Sequence, residues 1–387
     1  MNTLEGGRIV ISNPLPRSLG GTEVEWRLAE EVRLGKFQGI GPDVLGDVGH
    51  ITVDPYGRIY VLDIGSEEVR VFDRAGHHLR NIVRDGEGPG EITYHRFGPG
   101  SAGGMRLLWQ PPNRLWIDAG QGAPLAVDSL GNHLRRTPWR FPYFPAGTLA
   151  TSTKLVGADT AGAVYEELTV DDWPDRSIRE FPRLTHIVRR TVTRDHELLE
   201  GDTLLIETRH LEMGVAEVEA VNGGEIAIER PVRSDARQVA WTVGPGGELW
   251  LANRASYRFH QVTLRGDTTR TVGLGIPAQL PPGRVDASEY EPVISEFRVS
   301  PEGWLWVLRE PQAGNGDDGP VWDLFDNCGV YRGVASAPFP LASPHVGRRG
   351  EVHGVVSDAF GVDYVLRLRL ESAHGTEVVA VGCPFQP

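Results

Sequence analysis

A single hairpin phrase recurs along this chain, and it constrains the fold more than any other feature. Residues 51–63, ITVDPYGRIYVLD, read as an alternating apolar run, a turn carrying Asp54 and Gly57, and a second alternating run. That is the pattern of a β-hairpin. Gly57 stands three residues before an aromatic, Tyr60. The same spacing returns as Asn113 before Trp116, Gly162 before Tyr165, Gly247 before Trp250 and Gly303 before Trp306. Gly or Asn suits the turn position because left-handed backbone angles cost least there. A large flat side chain on the following strand can fill the space between stacked sheets.

A second phrase follows several of these hairpins. VRVFDRAGHHLR, PLAVDSLGNHLRR and WDLFDNCGVYRG each place Gly three residues after Asp: Asp73 with Gly76, Asp128 with Gly131, Asp326 with Gly329. A looser copy surrounds Gly266. Two successive hairpins make a four-stranded antiparallel sheet, the unit of a propeller blade. Repeats at this period point to a ring rather than to separate domains, although 387 residues would accommodate two or three. The expected fold is therefore all-β: a six-bladed β-propeller with four-stranded antiparallel blades. The anchor aromatics are 56, 49, 85 and 56 residues apart, so the third blade carries an insertion at about residues 170–235. In the sixth blade, EVHGVVSDAFGVDYVLRLRLE reads best as strands two and three. Residues 1–22 form an N-terminal extension, and 23–387 the propeller. A strand drawn from residues 23–38 closes the ring and removes its open edges, although WRLAEEVRL also has the makings of a short helix.

These residues carry a family resemblance. IYVLDIGSEEVRVFDRAGHHLRNIVRDGEGPGEI, with its GEGPGE loop at 86–91, resembles a blade of the NHL-like six-bladed β-propeller proteins of bacteria. VWDLFDNCGVYRG and VHGVVSDAFGVDYVLRLRL resemble the final blades of the same family. The resemblance spans roughly residues 24–372, is weakest in the third unit, and implies a fold rather than an activity. It also implies export, for instance to the periplasm. The N-terminal stretch MNTLEGGRIVISN has neither the charged nor the apolar region of a signal peptide, which leaves a cytoplasmic location open.

Composition narrows the partners. The net charge of −13 disfavours nucleic-acid phosphates and anionic lipid. No run of about 18 apolar residues suits a membrane helix, so only peripheral contact with a membrane complex is expected. The two cysteines, Cys328 and Cys383, belong to no metal-binding pattern and are either a disulfide or two free thiols.

Catalytic constellations are sparse. Six-bladed propellers include enzymes of the gluconolactonase and paraoxonase types, which hold calcium in the central tunnel by converging carboxylates. The polar residues expected on innermost strands here are His50, Arg106, Lys154, Gln238 and Glu296, with one carboxylate and two cations. No metal and no cofactor are expected from that set, and His50 and Glu296 are the only catalytic candidates. NGDDGP at 315–320 lacks the spacing of a calcium loop, HELLE at 196–200 lacks the second His of a zinc site, and GxSxG is absent. The GEGPGE loop has no lysine for a phosphate cradle and reads as an inter-blade connection. PWRFPYFPAG gathers Trp139, Arg140, Phe141, Tyr143 and Phe144 among prolines, residue types that dominate protein interfaces. The leading expectation is a non-catalytic, protein-binding propeller acting as an extrinsic scaffold subunit. The alternatives are a tunnel-based metal-dependent hydrolase or lyase, and a binder of a small ligand such as a sugar.

Overall fold

The structure is a computed structural model and describes residues 2–5, 7–14, 26–86, 88–92, 105–119, 124–137, 148–172, 180–199, 201–221, 224–234, 239–275, 293–310, 320–372 and 383. The chain opens with a hairpin, β1 (Asn2–Glu5) and β2 (Arg8–Asn13), followed by β3 (Trp26–Leu34). Unit one comprises β4 (Val48–Val53), β5 (Ile59–Asp63), β6 (Glu68–Phe72) and β7 (His78–Arg84). Unit two comprises β8 (Met105–Gln110), β9 (Arg114–Ala119), β10 (Leu125–Val127) and β11 (His133–Arg136). Unit three has β12 (Thr148–Ala158), β13 (Ala163–Asp172), β14 (Glu180–Thr191), β15 (Thr203–Val221) and an extra edge strand, β16 (Gly224–Ser234). Unit four has β17 (Val239–Val243), β18 (Leu249–Asn253), β19 (Arg258–Val262) and β20 (Thr268–Leu274). Unit five has β21 (Ile294–Val299), β22 (Leu305–Arg309), β23 (Val321–Phe325) and β24 (Tyr331–Ser336). Unit six is β25 (Ala342–Val346), β26 (Glu351–Ser357) and β27 (Asp363–Ser372), with β3 as its fourth strand. The fold is an all-β propeller, with the first strands β4, β8, β12, β17, β21 and β25 placed around the centre.

Local chemistry explains the repeating hairpins. At residues 54–58 the amide of Gly57 donates to the Asp54 carbonyl, while Asp54 Oδ1 accepts from the amides of Tyr56 (2.9 Å) and Arg58 (3.0 Å). The carboxylate thus satisfies turn amides that no strand can reach, and Gly57 takes the left-handed φ of 83°. Asp73, Asp128 and Asp326 repeat the arrangement in their own turns.

The anchor aromatics fill the spaces between neighbouring sheets. Tyr60, Trp116 and Trp306 are fully buried, and Tyr165 and Trp250 nearly so. Tyr60 stacks on Trp109 of unit two at 5.4 Å, and Trp306 packs with Trp322, Trp26 and Leu368 between units five and six. Each such ring removes a large apolar area from water, which is the main stabilising contribution in a core of thin sheets.

Closure uses the N-terminal strand. β3 runs antiparallel to β27 from Leu34↔Val365 to Trp26↔Ser372, and meets β24 in parallel at Ala335↔Trp26. WRLAEEVRL is a strand, not a helix: its backbone pairs with the distant β27 and β24, and Trp26, Leu28 and Leu34 are buried. β2 pairs in parallel with β20, so the first hairpin extends the outer edge of unit four. β26 and β27 are the second and third strands of unit six, and β25 is its first. Cys328, in the turn between β23 and β24, is bonded to Cys383 with a Cα–Cα separation of 5.3 Å, which ties residue 383 to unit five.

Candidate functional site

The six first strands and the turns that follow them enclose a central cavity of about 1070 Å³. Its rim is made by the first-hairpin turns, at Asp54–Gly57 in unit one and Gly347–Arg349 in unit six among others. Alternation along a strand turns every second side chain toward the axis, and the six first strands bring a ring of polar groups together there. His50, Arg106, Lys154 and Glu296 all line this cavity. Gln238 lies outside the described residues, as do Trp139, Arg140, Phe141, Tyr143 and Phe144, and residues 315–319 of the acidic loop.

Several lining residues escape a reading of the sequence. Arg298 is two positions beyond Glu296 on β21, so strand periodicity alone identifies it once Glu296 is placed. His345 stands on β25, whose position the repeat phrase does not announce. Glu167 and His353 are on second strands, β13 and β26, yet also reach the cavity.

The carboxylates of this lining are engaged by cations. Glu167 pairs with Lys154 at 2.7 Å and accepts from the Trp241 indole N–H at 2.6 Å. Glu296 pairs with Arg298 at 2.7 Å, and Asp54 with Arg58 at 2.5 Å. At the rim, Glu351 is held by Arg74 of unit one and by Arg369 at 3.4 Å. Arg106 has no ion pair among the described residues, and its Nε is buried without a hydrogen-bond partner. Burial, then the Arg298 guanidinium across the ring, lowers the Arg106 pKa.

Three histidines face the same space. The Leu107 amide donates to His50 Nδ1 at 3.3 Å, so the neutral ring carries its proton on Nε2. Enclosure and the positive charge of Arg106 and Arg298 push His50 down to about 3. Enclosure, then Arg298, brings His345 to about 4. His353 is sealed, with 1% of its surface exposed, and neither ring nitrogen has a hydrogen-bond partner among the described residues. It packs edge-on to His345 at 6.2 Å and falls to about 3 through burial, then His345, Arg367 and Arg74. All three rings are neutral at pH 7.

This donor set does not fit a resident divalent cation. Calcium needs several free oxygens, and the carboxylates here already face Arg or Lys. Among the described residues no group of three or more His, Cys, Asp or Glu is placed to hold a metal ion. The GEGPGE loop is closed on itself: Glu91 accepts from the Gly88 amide and from Arg84, both at 2.9 Å.

No protein-family model matches the chain, and no curated protein matches it. Solved structures that it is similar to include a member of the DUF4221 family from Bacteroides vulgatus, at 7% identity over 90% of this chain and 99% of the other, with a TM-score of 0.46. Virginiamycin B lyase from Staphylococcus aureus matches at 10% identity over 89% and 99%, with a TM-score of 0.42. The calcium-binding protein regucalcin from Agrobacterium tumefaciens matches at 12% identity over 93% and 98%, with a TM-score of 0.38.

Proposed function

We propose that this chain is a ligand-binding propeller that takes a small polar molecule into its central channel. One observation carries the reading. Among the described residues, Arg106, which lines the cavity, has no ion pair, and its Nε has no hydrogen-bond partner. Buried polar groups are ordinarily hydrogen-bonded, and an orphan beside a cavity of ligand size is a binding-site signature. Thermal unfolding in the presence of sugars, amino acids and small organic acids, followed by calorimetry on the hits, tests it. A hit whose binding disappears in Ser295→Trp, which fills the channel from β21, supports the reading. Hits that bind this variant equally well, or no hit at all, sink it.

The Cys328–Cys383 bond supports an oxidising location, in line with the export that the family resemblance implies. A scaffold role through Trp139–Phe144 is a separate proposal, resting on residue types alone. It fails if Trp139→Ala with Phe141→Ala leaves every co-purifying protein in place.

A further inference from the structure

The channel's charge runs against that of the chain. The protein as a whole is −13, but among the described residues eight Arg or Lys side chains line the cavity against four carboxylates. The carboxylates are each paired, so they cancel cations without attracting any. Arg298, which enters from β21, is one of the cations so cancelled, by Glu296, whereas Arg106, from β8, has no ion pair among the described residues and leaves its charge uncompensated in the channel. These strands belong to units two and five, on opposite sides of the ring, yet both guanidinium side chains line one cavity together with His50. An enclosed guanidinium without an ion pair of its own, with a second one facing the same space, favours an anion beside it.

The neighbouring groups are donors of the kind an oxyanion needs. Arg106 has an unpartnered Nε, and its fork carries further N–H groups. His50 is tied by Nδ1 to the β8 backbone, which leaves Nε2–H to donate. His353, sealed and without a partner for either nitrogen, closes the unit-six side next to His345. Arg–oxyanion pairs are charge-assisted and geometrically specific, and an enclosed setting strengthens them.

We propose that Arg106, Arg298 and His50 form an oxyanion cradle, and that the molecule received by the channel carries a carboxylate or phosphate group. This rests on the channel being a ligand site, and it adds the class of ligand.

Calorimetry on the full chain in a chloride–HEPES buffer tests it, with citrate, glycerol phosphate and glucose as probes. The expected result is binding of citrate or glycerol phosphate, none of glucose, and at least a tenfold loss of affinity in Arg106→Met and in Arg298→Met. Citrate binding without glycerol phosphate binding assigns a carboxylate, and the reverse assigns a phosphate. Arg27→Met, an exposed change on β3, should leave affinity unchanged. If Arg106→Met does not fold, Arg106→Lys carries the test: it keeps the charge but loses the fork, and should still bind the anion more weakly than the parent. Glucose binding that Arg106→Met leaves intact overturns the cradle while the channel reading survives. Anion binding unaffected by either arginine change overturns the cradle as well. Absence of binding by every probe, together with no co-purified small molecule in native mass spectrometry, overturns both.

Discussion

Removing the titration of His353 should flatten the acid sensitivity of the fold. His353 on β26 is opposed by His345 on one side and Arg367 on the other, with Arg74 near the rim. Burial and these neighbours hold its pKa at about 3, against 6.5 in an exposed ring. Between those values the unfolded chain binds a proton that the folded chain does not. Stability from this site is therefore complete above about pH 6.5 and is lost as the pH falls toward 3. A pH of 5 lies about 1.5 units below the pKa of the unfolded histidine, which corresponds to a loss of about 2 kcal/mol relative to pH 7.5. His353→Leu keeps a side chain of similar bulk with nothing to protonate. Urea unfolding followed by tryptophan fluorescence at pH 7.5 and 5.0 should show the variant losing about 2 kcal/mol less than the parent. The carboxylates lose most of their contribution below this interval, so the difference isolates the imidazole. An identical pH dependence in parent and variant would mean that His353 is not held neutral, and the account of a sealed imidazole bordered by cations would fall.

Two further outcomes follow from buried contacts. Asp323 on β23 is fully buried and accepts from Arg309, Tyr257 and Tyr331; Asp323→Ala strands the Arg309 guanidinium and should cost about 3–5 kcal/mol, read as a lower urea midpoint. Cys328→Ser with Cys383→Ser releases residue 383 from unit five and should lower stability by about 2–4 kcal/mol, while the parent shows no free thiol under denaturing, non-reducing conditions.

The hairpins were legible in the sequence because their causes are local. Asp54 reaches amides two and four residues ahead, and Gly57 supplies the one backbone angle that the turn demands, so the phrase states its own geometry. The anchor aromatics were legible for a similar reason, since period-two alternation fixes the face on which Tyr60 or Trp306 stands. His50, Arg106, Lys154 and Glu296 followed from counting blades and taking first strands. The rest was hidden. β25 carries no copy of the phrase, so His345 had no register from which to be placed. Glu167 and His353 stand on second strands, where residues are expected to pack between sheets, and they reach the axis only through the way units three and six sit in the ring.

The repeating four-stranded unit, its turns and the aromatic that seals each sheet against the next follow from the order of residues alone, because those interactions span a handful of residues. Tertiary structure decided that WRLAEEVRL is a strand, since its hydrogen-bond partner lies more than 300 residues away on β27. It also decided the chemistry of the channel. Arg106 and Arg298 are nearly 200 residues apart and come from opposite sides of the ring, so their meeting in one cavity, with the neutral histidines beside them, exists only after the ring has closed.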